Sequence, residues 1–180
     1  MLAGVAGLVL LVMAAVRFVG LLEESSQRTS APTSFVAIRD ESESISITIP
    51  VEWGDASSSG WIIDGREVGP AVTVASNVEA WYSNWGTPGA FIGVSTTGVV
   101  PERGDFSRVC TRGDTVERSM EVLSGTVQFW SDCGDGAADF YVFFGGSADG
   151  SYAVLVELVS IDGAGLSTLD RLLTTFSFTP

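Results

Sequence analysis

Histidine and lysine are both absent, and all nine basic residues of the 180-residue chain are arginine. Without an imidazole there is no Ser-His-Asp or Cys-His nucleophile, since the usual general base near neutral pH is missing. Zinc sites built on imidazole are excluded, and two cysteines do not supply a four-thiolate site. Without lysine there is no P-loop, no Schiff-base chemistry and no Ser-Lys dyad. Positive charge is scarce: 9 basic against 22 acidic residues leave a net charge of −13. Such a surplus repels a phosphate backbone, which argues against nucleic acid as a partner. Basic proteins, sugars and cations remain electrostatically admissible. No catalytic, cofactor-binding or metal-ligating residues are assigned, and no cofactor is expected.

What is present begins with a long apolar run. Met1 to Leu22 carries one charge, Arg17; as a helix it would be about 33 Å long, close to a bilayer core of about 30 Å. No basic segment precedes the run, so an uncleaved membrane anchor is expected rather than a cleavable signal peptide. Secretion after cleavage is the alternative, and whether Met1 is the true start stays open. Glu23 to Thr33 is a polar linker, and residues 34–180 form one folded domain. Cys110 and Cys133 are the only cysteines. If joined, they place that domain outside the reducing cytoplasm; the alternative is two free, buried thiols.

From Ser34 the pattern is mostly that of strands. Ile45, Ile47, Ile49 and Val51 alternate with polar residues, the period of a half-buried strand. Asp64-Gly65 is a two-residue hairpin signal between Trp61-Ile62-Ile63 and Arg66-Glu67-Val68. Asp55 to Gly60 reads as a loop, and Gly69-Pro70 as a break before a strand over 71–75. Ser76 and Glu79 form a capping box, with Val78, Trp81, Tyr82 and Trp85 as one apolar stripe ending at Gly86. That stripe is read as core rather than as a carbohydrate platform. A strand over 90–95 follows, then a short helix over 105–112 with Phe106, Val109 and Cys110 on one face. Gly125 to Trp130, Asp139 to Phe144 and Ser151 to Val159 are the centre of a sheet, the last two joined antiparallel at Asp149-Gly150. Ser167 caps a closing helix through Leu169, Leu172, Leu173 and Phe176, and Phe176 and Phe178 lead into a last short strand.

A few residues invite chemistry. Glu157 is the single charge in its strand: if buried, it is a candidate acid or base through a raised pKa; otherwise it lies near an edge or faces an arginine. Asp132, Asp135 and Asp139 cluster around Cys133, but lack the spacing of an EF-hand. Arg-Gly-Asp occurs at 103–105 and 112–114, where turn chemistry explains it.

Ile49-Pro50-Val51-Glu52-Trp53, Gly69-Pro70, Ala75-Ser76, Trp85-Gly86-Thr87-Pro88-Gly89, Cys133-Gly134 and the Leu169-to-Phe176 helix together resemble PsbP-like domains of exported actinobacterial proteins. The resemblance spans Ile45 to Phe178. It implies an α+β fold, an antiparallel sheet flanked by helices on both faces, and a binding or assembly role rather than catalysis. The chain lacks the lipidation cysteine of the lipoprotein members. The expectation is a membrane-tethered extracytoplasmic module that binds a protein or cell-envelope component. A carboxylate-based envelope hydrolase and a calcium-stabilised structural domain are the alternatives.

Overall fold

A computed structural model of the chain describes residues 32, 34–97, 104–136 and 138–180. The expected anchor over 1–22 lies outside them, as does the linker over 23–33 apart from Pro32. Among the described residues no helix is long and apolar enough to cross a membrane. They form ten strands and two short helices.

Strict alternation makes β2 (Ile45–Pro50) a strand, with Ile45, Ile47 and Ile49 at most 2% exposed. It pairs antiparallel with β1 (Phe35–Arg39) on one side and β10 (Ser177–Phe178) on the other. The remaining strands are β3 (Asp55–Ile63), β4 (Arg66–Ala75), β5 (Gly89–Ser95), β6 (Thr111–Ser119), β7 (Leu123–Cys133), β8 (Ala138–Ser147) and β9 (Ala153–Ser160). They build a seven-stranded antiparallel sheet in the order β3-β4-β5-β9-β8-β7-β6. The β3–β4 turn is the expected one, with Asp64 and Gly65 at φ 51° and 76°, the positive angles a two-residue hairpin turn requires. Helix α1 (Val78–Ser83) joins β4 to β5, and α2 (Gly165–Thr175) follows β9.

On one face of the large sheet Val72, Val74, Ile92, Phe143, Val154, Val156 and Leu158 meet the three isoleucines of β2 and Leu169, Leu172 and Leu173 of α2. This is the main core. The expected sandwich with helices on both faces is therefore corrected. The covering layer is largely a second sheet, because the alternation that makes β2 a strand presents three isoleucines to the core. Helix α2 contributes to that layer, while the opposite face of the large sheet carries the six-residue α1, none of whose residues is fully buried.

Other local expectations change for identifiable reasons. Residues 55–60 are not a loop but the first two thirds of β3, paired with Pro70–Ala75. Gly69 and Pro70 lie within β4, whose pairing with β5 begins only at Ala71, so Pro70 supplies no donor there. The helix over 105–112 is replaced by a single turn. Cys110 N–H donates to Phe106 O at 2.9 Å, and Gly134 N–H to Val109 O at 2.9 Å, after which the chain enters β6. The N-cap of α1 is Asn77 rather than Ser76, its side chain accepting from Ala80 N–H at 2.8 Å. Asn84 stops the helix by donating to Ala80 O and accepting from Gly86 N–H, which leaves Trp85 beyond its end. Helix α2 starts at Gly165, so Ser167 sits in its first turn, donating to Ala164 O.

Candidate functional site

The site is built around Glu157. Alternation along β9 sends Val154, Val156 and Leu158 into the main core, and so turns Leu155, Glu157 and Val159 to the other face. In register, Glu157 stands between Phe91 of β5 and Val142 of β8. A carboxylate on the central strand is thus framed by apolar neighbours on all four sides. The ion pairs among the described residues are Arg39–Glu43 and Arg118–Asp170, so neither reaches it. Burial pushes its pKa up from the usual carboxylate value, with no opposing hydrogen bond or charge. Glu157 is therefore not at an edge, and among the described residues no arginine pairs with it.

Aromatic rings enclose the space above it. Trp81 and Tyr82 of α1 pack edge to face at 5.1 Å, and the Tyr82 hydroxyl is engaged with Thr73 Oγ1 at 2.6 Å. Trp61 of β3 meets Phe91 edge to face at 5.9 Å and packs against the strand at Gly93. A Cβ at position 93 would come within 2.7 Å of the indole, so glycine is required for that approach. These rings and Glu157 line a cleft of about 650 Å³. An adjoining hollow of about 270 Å³ shares Trp81, Tyr82 and Glu157 and is closed by Trp85, Phe106 and Phe140. Trp81 Nε1–H is buried with no acceptor. The stripe read as core is so in part: Trp81 and Trp85 pack against the second apolar cluster, while Tyr82, 63% exposed, lies over the cleft.

Cys110 and Cys133 are joined in a disulfide. The bridge sits in a second apolar cluster with Trp130, Phe140 and Val142, and ties the Phe106–Cys110 turn to the end of β7. Phe106 stacks edge to face on Phe140 at 4.8 Å and on Trp130 at 5.7 Å. The staple thereby fixes one wall of the smaller hollow.

The other sequence candidates do not converge. Asp139 is half-buried, and burial first, then the charge of Asp132, raises its pKa; among the described residues no three such groups come together to hold a metal. Arg112-Gly113-Asp114 lies in β6, where Gln128 Nε2 donates to Gly113 O at 2.9 Å and Arg112 stands over the Trp130 ring at 5.8 Å. Arg103 of the other such triplet is outside the described residues. A larger hollow, about 760 Å³, lies beside Asp40. That carboxylate already accepts from Ser42 Oγ, from Ser44 Oγ at 3.1 Å and from Ile45 N–H at 2.7 Å, so its chemistry is satisfied.

Trp61 and Phe91 were not singled out from sequence. The usable signal was Gly93, an isolated glycine inside a strand, which marks close approach by another group. Comparison with protein-family models finds no match, and no curated protein matches the chain.

Proposed function

We propose that the chain is a membrane-tethered extracytoplasmic binding module that takes a protein or cell-envelope component in the cleft over β9, without chemistry of its own. The observation that carries this reading is the unpaired carboxylate of Glu157 beneath Trp81 and Tyr82 in an open cavity. Glu157 is half-buried rather than sealed in the core, and a carboxylate drawn partly out of water is ordinarily paired or hydrogen-bonded, because an uncompensated charge there is costly. A group kept there against stability points to a ligand. The Cys110–Cys133 bridge supports placement outside the reducing cytoplasm. The net charge of −13 supports a partner that is not an anion.

Photo-crosslinking in the native envelope tests the reading. A crosslinking residue at Ile62, on the cleft rim and 64% exposed, is compared with one at Val36 on β1, 44% exposed. Enrichment of a component from position 62 over both position 36 and a tether-only control is the expected result. Equal recovery from all three overturns the proposal.

A further inference from the structure

We infer that the cleft is a binding site for an organic ammonium group, its charge held by Glu157 and its substituents packed against Trp61, Trp81, Tyr82 and Phe91. This deepens the binding reading above and rests on it. Three features of the cavity select this chemistry. Among the described residues its charged lining consists of Glu157 and Asp64, both acidic, which disfavours an anion and attracts a cation. Its walls are aromatic, with Trp61, Trp81, Tyr82 and Phe91 in the lining, and the faces of such rings attract a cation. Its side-chain hydrogen-bonding groups are chiefly acceptors, the carboxylates of Glu157 and Asp64, since the Tyr82 hydroxyl is engaged with Thr73 and Trp81 Nε1–H is shut off from solvent. A neutral sugar, whose hydroxyls need many convergent partners, would leave most of them unmet. An ammonium needs one counter-charge and several ring faces, and the cleft supplies both.

The position of the carboxylate completes the argument. Phe91 and Val142 flank Glu157 across the neighbouring strands, and Leu155 and Val159 flank it along its own. No protein cation reaches it among the described residues. A bound ammonium would restore the missing counter-charge, and an alkylated one would do so while keeping the cleft dry.

The test uses the full chain in maltoside micelles, with choline and ethanolamine as probes, 3,3-dimethylbutanol as the neutral isostere of choline, and tryptophan fluorescence as readout. Either cation is expected to bind at least about tenfold more tightly than the isostere, a difference of about 1.4 kcal/mol. Glu157→Gln is expected to abolish that preference while still unfolding cooperatively, and Glu157→Asp to retain part of it. Equal binding of choline and its isostere, or binding of neither cation, overturns the ammonium assignment. A chitin oligosaccharide that binds where the cations do not replaces it with sugar recognition. If Ile62 still captures an envelope component in either case, the binding-module reading survives the loss of this one. The source of the ammonium is separated by moving the chain into nanodiscs. A Glu157-dependent fluorescence change on replacing phosphatidylglycerol by phosphatidylcholine identifies a lipid headgroup, and a response to added choline alone identifies a soluble cation.

Discussion

At Glu157 two demands conflict, since the strand needs an apolar residue and the cleft holds a charge. Its folded-state pKa lies above the ordinary value of 4.5 because of burial. The folded chain therefore keeps this proton to higher pH than the unfolded chain does. Stability from this residue is greatest below about 4.5 and falls as pH rises through the folded value. Glu157→Gln, which removes the charge, is expected to stabilise the domain at pH 7 by on the order of 1 kcal/mol, or about 2–4 °C in Tm. The gain should vanish near pH 4. Asp149 titrates in the opposite sense, drawn down to about 2 by hydrogen bonds from Ser147 and Ser151, so the variant must be compared with its parent at each pH. Urea unfolding at both pH values reads the effect; a variant less stable than the parent at pH 7 would mean that the carboxylate has a partner. Gly93 makes the complementary residue-scale case. An alanine there brings Cβ within 2.7 Å of Trp61 and 3.0 Å of Phe91. Gly93→Ala is expected to cost about 1–3 kcal/mol through displacement of the indole, with a shift in tryptophan emission that a mutation at the exposed Gly136 does not produce.

Among the elements, the Phe106–Cys110 turn depends most on a covalent tie. Its hydrogen bonds are few, and its anchorage is Phe106 in an aromatic cluster and the bridge to Cys133. Closing a loop of 23 residues' separation is worth about 3 kcal/mol in the chain-entropy model. The double variant Cys110→Ala/Cys133→Ala should lose about that amount in urea unfolding, and the parent should show no reactive thiol in denaturant without reductant. Legibility in the sequence also divides by element. β2, the Asp64-Gly65 hairpin, β7, β8 and β9 could be read because each buries a patterned face or carries a specific turn. The polar start of β3 and all of β6 could not. β3 begins Asp55-Ala56-Ser57-Ser58-Ser59-Gly60, and all of β6 but Arg118 is exposed; both are held by ladder hydrogen bonds that leave no side-chain period. Polar and charged edges also discourage pairing with another chain. Phe106, Val109 and Cys110 have helical spacing, whereas the bridge to Cys133 and the Gly134 N–H to Val109 O hydrogen bond decide their placement. The site was half legible. Glu157 stands out as a charge among apolar residues, and Trp81 and Trp85 are the two tryptophans of one helical stripe. That they meet follows from β9 lying beside β5, a pairing between segments more than fifty residues apart that no local pattern encodes.

That pairing sets the organisation of the whole molecule. β3-β4-β5 and β6-β7-β8-β9 are each runs of sequential antiparallel neighbours, and the large sheet becomes one only where β5 meets β9. The cleft lies over this seam, with Trp61 and Phe91 from one run and Val142 and Glu157 from the other. Local hairpins close short loops at low entropic cost, whereas the seam closes a long one. The two runs are therefore expected to order before the seam does. Ile92 and Val156 face each other across it, and Val127 and Phe143 face each other within the second run; all four belong to the main core. Double-mutant cycles to alanine should give each pair a coupling of about 0.5–1 kcal/mol at equilibrium. Stopped-flow chevrons then separate them, with the disulfide left intact. The Ile92–Val156 coupling should appear almost wholly in the unfolding rate, and the Val127–Phe143 coupling substantially in the folding rate. A seam coupling already present in the folding rate would mean that β5 and β9 join early. The cleft would then be part of the folding nucleus, and a ligand bridging the seam would slow unfolding no more than one bound elsewhere. If the seam forms last, a ligand spanning Phe91 and Glu157 acts on the step that unfolds first, and should slow unfolding in proportion to its occupancy.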